Sequence, residues 1–257
     1  MEEIRPLTDN SIDCLFTARE AAFKGYVRTW SKAEYEKMLN RRGYVPSLSF
    51  GAFDGTQLVS FTLNGIGLFN GTRAAYDTGT GTIPEYRGKG LAAKIFVASL
   101  PFLKQAGMEQ YVLEVLLDNS KAISVYSKLG FTVSRKLNYF VQDMHSILPL
   151  NKSIQPGITL HETDLSQKPE MQKFWDFLPS WQNCFASISR NLADFRIIGA
   201  FHDGALIGYG IIEKATGDVP QIAVHNVYRR RGIGTGILKE LLMFNRSPWH
   251  TIYQYRS

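Results

Sequence analysis

Two short stretches hold residues whose types and spacing could do chemistry. The first, Tyr86-Arg87-Gly88-Lys89-Gly90-Leu91-Ala92, is a glycine-rich turn that opens a helix. The first backbone N–H groups of a helix lack internal partners and sit at the positive end of its dipole, so an anion satisfies them. Gly88 and Gly90 let phosphate oxygens approach the main chain, while Arg87 and Lys89 add positive charge beside it. A polyphosphate is the ligand this chemistry suits. The second stretch, Asn119-Ser-Lys-Ala122-Ile-Ser-Val-Tyr126-Ser-Lys-Leu129-Gly130-Phe131, is a short helix that presents a phenol, a group able to donate or accept a proton.

These residues need elements to position them. After the turn, Leu91, Ile95, Ala98 and Phe102 fall on one helical face, with Gly107 as a C-terminal cap and Pro101 expected to kink or shorten the last turn. Before it, the threonine-rich run 74–83 suits a strand ending at Pro84. Leu48–Phe53 and Leu58–Leu63 flank Asp54-Gly55, a hairpin turn. Gln110–Leu117 is nearly continuous in apolar residues, as in a central strand, and interrupts that pattern only with Glu114. Glu3–Leu7 starts the sheet, and residues 9–22 and 31–41 read as two helices. Phe23, Tyr26 and Trp30 between those helices serve either as packing or as pocket walls.

With both stretches on the page, the chain resembles the GNAT superfamily of N-acetyltransferases. That family's acetyl-CoA signature is matched by Arg87, Gly90 and Ala92, and its second signature by Asn119, Ala122, Tyr126, Gly130 and Phe131, in order and in the expected contexts. The signature recurs at Arg229, Gly232 and Gly234, within Tyr228-Arg229-Arg-Arg-Gly232-Ile-Gly234, 142 residues after Arg87. A repeat of that length is a whole domain.

The expected fold is therefore α/β, with a mixed sheet: two tandem GNAT-like domains, each a mostly antiparallel, splayed sheet flanked by helices, the second incomplete at its C-terminus. Domain boundaries are expected at 1–147 and 157–257, with a linker between Asp143 and Pro156. In the second half, Ile158–His161, Phe195–Phe201, Ala205–Ile212 and Pro220–Val224 would be strands, with a turn at His202–Gly204. Asn119 and Tyr126 follow Arg87 by 32 and 39 residues, so their counterparts would fall near 261 and 268, past residue 257. The second copy is accordingly expected not to catalyse.

The resemblance implies direct transfer of an acetyl group from acetyl-CoA to a primary amine, without an enzyme nucleophile or a metal. The cofactor would be held by Gly88, Lys89, Gly90, Leu91 and Ala92 with Arg87, by Thr82 and Ile83 through their backbone, and by Asn119 and Ala122. Tyr126 would protonate the departing thiolate. Asn119 could equally be a helix N-cap, and Tyr126 could pack on the sheet with its hydroxyl on a backbone group. For a general base the residues offer Asp77 and Glu114, either of which could instead pair with a neighbour or hold the acceptor's ammonium.

Composition narrows the remaining classes. The 257 residues are 44% hydrophobic, enough for a core in each of two domains. No apolar run approaches the roughly 18 residues of a membrane helix, so a soluble, cytoplasmic protein with no membrane partner is expected, as monomer or homodimer. Cys14 and Cys184 lack metal or disulfide spacing. A net charge of +6 suits coenzyme A, and nucleic acid, supported by charge alone, is not expected as a partner. The acceptor would be a small molecule or a peptide amine; the alternative is a non-catalytic acyl-CoA-binding sensor or pseudo-enzyme.

Overall fold

The computed structural model describes residues 2–25, 30–143, 154–247 and 249–256. Tyr26 and the segment 144–153, which holds most of the expected linker, lie outside the described residues. The chain divides into two compact units, Met1–Thr132 and Val133–Ser257.

In the first unit β1 (Glu3–Pro6) is followed by α1 (Ile12–Ala22) and α2 (Lys32–Arg42). Ser31 caps α2 in a reciprocal box, its hydroxyl accepting from the Glu34 N–H while the Glu34 carboxylate accepts from the Ser31 N–H. Then come β2 (Phe50–Asp54), β3 (Gln57–Phe69), β4 (Thr72–Thr82), α3 (Leu91–Gln105), β5 (Gln110–Val112) and α4 (Ser120–Lys128). The sheet order is β1-β2-β3-β4-β5. All pairs are antiparallel except β4 with β5, which is parallel.

Both of the unit's sheet faces are covered, and Phe53, Val59, Phe61, Leu63, Leu15, Leu39 and Ile95 form one buried cluster. Phe61 is 2% exposed. Truncating a buried aromatic removes its burial and leaves a cavity, so Phe61→Ala should cost about 3–5 kcal/mol, read as a lower denaturant midpoint at unchanged slope.

One alternative falls away and one expectation needs correction. α3 runs through Pro101, so the proline does not shorten the helix. Pro101 is exposed, as is Val97, whose carbonyl loses the Pro101 N–H, so the helix breaks its ladder on the solvent side, where water can replace the bond. Meanwhile β5 spans three residues rather than eight, because only Ala74–Tyr76 of β4 pair with it. Beyond Tyr76 and Val112 the parallel strands part.

The second unit begins with β6 (Lys136–Asp143), followed by β7 (Ile158–Glu162), α5 (Lys168–Gln172), α6 (Phe185–Arg190), β8 (Phe195–His202), β9 (Ala205–Glu213), β10 (Asp218–Val219), β11 (Gln221–Val224), α7 (Ile233–Leu242) and β12 (Trp249–Arg256). One sheet is ordered β11-β9-β8-β7 and another β10-β12-β6. Pro220, which has no N–H, separates β10 from β11, and there the chain leaves β12 for β9. β6 pairs with β12 over eight residues, so a strand that follows the first unit's last helix belongs to the second unit's sheet. The division between units accordingly falls before β6, upstream of the segment read as a linker. Among the described residues no helix is long and apolar enough to cross a membrane.

Candidate active site

The first unit's glycine turn has the geometry of an anion cradle. Gly88 and Gly90 have φ of 79° and 71°, the left-handed region that only glycine enters cheaply. Gly90 is the N-cap of α3, and no side chain caps that helix end. A Cβ built at either glycine meets nothing within 4 Å, so the space before the free N–H groups of Leu91 and Ala92 is open. Leu91 itself is buried and anchors the helix start to the core.

Arg87 is engaged with the protein rather than facing that space. Its Nε donates to the Thr82 carbonyl at 3.1 Å and its Nη2 to the Ala22 carbonyl at 2.8 Å, tying the turn to the ends of β4 and α1. Lys89 pairs with Glu2 at 2.8 Å and lies over the Tyr86 ring at 4.4 Å. Arg87→Lys should therefore lower stability by about 1–3 kcal/mol, because an ammonium cannot fork to both carbonyls. Thermal unfolding of the variant checks this.

Thr82 and Ile83 are largely spoken for within the unit. The Thr82 hydroxyl meets Ser60 Oγ at 2.7 Å, the Ile83 N–H donates to Val59 and the Ile83 carbonyl accepts from the Tyr86 N–H. Asn119 is the N-cap of α4, its Oδ1 accepting from the Ala122 N–H at 3.1 Å.

Where β4 and β5 part, the structure gathers a polar cluster. Asp77 is the first β4 residue past the last pair with β5, and it faces Asn64 across β3 beside a bulge. The Tyr126 hydroxyl donates to Asp77 Oδ2 at 2.8 Å, Thr80 Oγ1 donates to the same oxygen at 2.8 Å, and the Gly79 N–H donates to Oδ1 at 2.9 Å. The opposing Asn64 is used elsewhere, its Oδ1 accepting from Tyr111 at 2.5 Å and its amide donating to the Leu48 carbonyl at 2.6 Å. Arg42 Nη1 donates to the Thr78 carbonyl at 2.8 Å, placing a positive charge nearby.

Local sequence explains how Tyr126 reaches this point. Asn119 starts the helix, and Gly130, at φ of 90°, reverses the chain so that the Phe131 N–H donates to the Tyr126 carbonyl. The Phe131 ring then packs against Tyr126, Phe96 of α3 and Tyr111 of β5 at centroid distances of 5.5, 5.3 and 5.7 Å. The phenol's ring thus rests on Phe131, which both neighbouring elements hold in place.

Burial raises the Asp77 carboxyl above its ordinary value, opposed by the hydrogen bonds from Thr80, Tyr126 and Gly79 and by the charge of Arg42. Burial likewise raises the Tyr126 phenol, and the Asp77 charge and the hydrogen bond to it push the same way. A raised carboxyl binds its proton more tightly in the folded chain than in the unfolded one. Asp77's contribution is thus greatest at low pH and lost as pH rises from the ordinary carboxylate range to its raised value. Asp77→Asn should remove that decline, checked as the pH dependence of the wild-type-minus-variant stability difference.

Of the residues named from sequence, the structure joins Tyr126 to Asp77 and sets the cradle of Gly88–Ala92 at the end of the same strand. Glu114 is exposed in the coil beyond β5. Sequence reasoning missed Thr80, Asn64, Tyr111 and Arg42. Only Thr80, three residues from Asp77 in the same strand, offered any signal.

The second unit repeats the cradle. Arg229 Nε donates to the Val224 carbonyl, again five residues upstream, at 2.9 Å, and its Nη2 reaches Asp176 at 3.0 Å. Arg231 lies over the Tyr228 ring at 5.3 Å, as Lys89 does over Tyr86. Gly232 is the left-handed N-cap of α7, and Arg230, at φ of 66°, stands where the first copy has Gly88. Beside β11 is a cavity of about 230 Å³, lined by Phe174, Trp175, Tyr209, Gln221, Val224 and Arg229 among others. Under it, Trp175 donates to the Tyr209 hydroxyl, which donates to Gln221 Oε1 at 2.6 Å, and Gln221 Nε2 donates to the Asn183 carbonyl at 2.6 Å. His225 Nδ1 is buried nearby without a hydrogen-bond partner, its ring edge-on to Phe174.

Comparison with known proteins gives this geometry its context. The model of the acetyltransferase (GNAT) family matches residues 15–131 and 160–248, one stretch in each unit. N-alpha-acetyltransferase 30 of Schizosaccharomyces pombe is 34% identical over 93 residues, covering 36% of this chain and 62% of that protein. Mycothiol acetyltransferase of Saccharomonospora viridis is 45% identical over 60 residues, covering 23% of this chain and 20% of that protein. The chain thus spans less than two thirds of these curated relatives. Among solved structures, a tandem GNAT protein from the clavulanic acid biosynthesis pathway superposes with a TM-score of 0.71 at 16% identity, over 100% of this chain and 91% of that one. A GCN5-related N-acetyltransferase from Sphaerobacter thermophilus gives 0.73 at 11% identity, over 100% of this chain and 87% of that one. Identities this low speak for the fold.

Proposed function

The chain belongs to the acetyltransferase (GNAT) family, and from that premise we propose that its first unit moves an acetyl group from acetyl-CoA to a primary amine by direct attack. The observation that carries this reading is the uncapped start of α3, opened by two left-handed glycines, on the strand whose parting from β5 brings Tyr126 and Asp77 together. The free N–H groups of Leu91 and Ala92 would hold the pyrophosphate, with Lys89 beside them and Arg87 holding the turn in shape. When bound, acetyl-CoA supplies an acyl group activated as a thioester. Tyr126 is the general acid in this reading, and Asp77 is favoured over Glu114 as the carboxylate that moves protons, because it touches Tyr126.

The matched relatives named N-alpha-acetyltransferase and mycothiol acetyltransferase support an amine acceptor without ranking a peptide terminus above a small molecule. A second reading, acyl-CoA binding without catalysis, is favoured for the second unit by its repeated cradle and its cavity. Calorimetric titration with acetyl-CoA, followed by thiol release in the presence of primary amines, tests both. Gly88→Val/Gly90→Val should abolish one site and all thiol release, and Gly232→Val should leave thiol release intact. Amine-dependent release that survives the first variant and is lost in the second would overturn the assignment.

A further inference from the structure

Asp77 and Tyr126 were the obvious pair to take separate roles, a base for the amine and an acid for the thiolate. Their geometry argues otherwise. One carboxylate oxygen, Oδ2, receives both the Tyr126 and the Thr80 hydroxyls, and the other receives the Gly79 N–H. With Asp77 ionised, the Tyr126 hydrogen is committed to the carboxylate. Losing that hydrogen would leave a phenolate beside a carboxylate, and a free phenol is already a weaker acid than a thiol, about 10 against 8.5. Tyr126 alone therefore has no proton that a departing thiolate could take easily.

A proton on Asp77 reverses the arrangement. The carboxyl can then donate to the phenol oxygen, which frees the phenolic hydrogen for another acceptor. We propose that Asp77 and Tyr126 form one proton relay, in which Asp77 takes the proton shed by the acceptor's ammonium and hands it through Tyr126 to the sulfur. The proposal rests on the transferase reading above.

The step balances. Asp77 carboxylate and the ammonium give carboxylic acid and neutral amine. The amine nitrogen bonds to the thioester carbon and the carbon–sulfur bond breaks, its electron pair leaving with sulfur. Tyr126 gives its hydroxyl proton to that sulfur as Asp77 gives its own to the Tyr126 oxygen, and the surplus proton on the amide nitrogen goes to water. Both side chains end as they began. The groups that face Asp77 are suited to this: Tyr126 from α4, Tyr111 from β5, Arg42 from α2, and Thr80 from its own strand, none of them a second carboxylate. Arg42 and the three hydrogen bonds let the ionised form persist, and burial keeps the neutral form within reach.

A double-mutant cycle separates a relay from two independent roles. Asp77→Asn and Tyr126→Phe should each lower kcat by about 10²–10⁴-fold, and the double variant should fall within about threefold of the worse single variant, because either change breaks the same path. The acid limb of the kcat profile should vanish in Asp77→Asn, and acetyl-CoA affinity should hold in all three. Losses that multiply, or an Asp77→Asn enzyme with wild-type kcat, would overturn the relay. An alkaline titration followed by phenolate absorbance needs no turnover. In Asp77→Asn one phenol should ionise at lower pH than in wild type, and that phenol should be missing when Tyr126→Phe is added. An unchanged titration would overturn the pairing itself. A shifted titration in a protein that acetylates no amine would keep the pair and remove both the transferase reading and the relay's part in it.

Discussion

Tyr126→Phe is expected to lower kcat by about 10²–10⁴-fold while leaving acetyl-CoA affinity nearly unchanged, since general acid catalysis typically contributes a factor of this size. The substitution is narrow. Phe keeps the ring that packs against Phe131 at 5.5 Å and removes only the oxygen that meets Asp77 at 2.8 Å. It also withdraws one of the hydrogen bonds that lower the Asp77 carboxyl, so Asp77 should rise further above its ordinary value. Stability should drop by about 1–3 kcal/mol, the loss expected for a hydrogen bond to a charged group. Steady-state kinetics with a primary-amine acceptor, alongside calorimetry with acetyl-CoA, decide the matter. A variant that keeps full kcat would mean the phenol is a packing residue with its hydroxyl parked on Asp77.

Gly90→Val is expected to weaken acetyl-CoA binding in the first unit by about 100-fold or more. Gly90 holds φ of 71° at the N-cap of α3, where a β-branched residue is strained by roughly 1–2 kcal/mol. Nothing lies within 4 Å of its Cβ position, so the free protein meets no clash and should lose only a few degrees of Tm. The open space is where phosphate oxygens would reach the N–H groups. Losing two hydrogen bonds to a charged ligand, at about 1.5 kcal/mol each, amounts to roughly 3 kcal/mol, a little over two powers of ten. Lys89→Ala should cost far less, because Lys89 is exposed and already paired with Glu2. Calorimetry on the two variants separates a cradle built from backbone from one built on side-chain charge. Equal losses would argue for the latter.

Much of the fold was legible in the chain because its signals are local. Asp54-Gly55 flanked by apolar runs reads as a hairpin, and β2 and β3 are joined there. The duplicated motif at Arg87 and Arg229 marks two units by its spacing alone, and the structure adds that both arginines reach back five residues to a strand carbonyl. What sequence could not supply was pairing partners. Pro101 could have kinked the last turn of α3 or shortened it, and whether proline ends a helix depends on which side its lost bond faces. Residues 110–117 read as one strand because apolar continuity marks β potential, whereas strand length depends on how far the neighbour stays within hydrogen-bond reach. That neighbour, β4, turns away after Tyr76. The strand after the first unit's last helix could equally have been read as closing the first sheet, and only its eight-residue register with β12 puts it in the second unit.

The sequence by itself determined the family, the tandem organisation and the chemical types at the site: glycines that permit a left-handed turn, a phenol on a capped helix, and two carboxylates. Each follows from backbone stereochemistry or from side-chain chemistry, which a chain carries whatever its partners are. Only the tertiary structure set the two carboxylates apart, placing Asp77 against Tyr126 from 49 residues away and leaving Glu114 exposed. It also tied Arg87 to the Thr82 and Ala22 carbonyls, where it braces the turn. Proton chemistry depends on contact within about 3 Å and on burial, and both are properties of packing between elements distant in sequence.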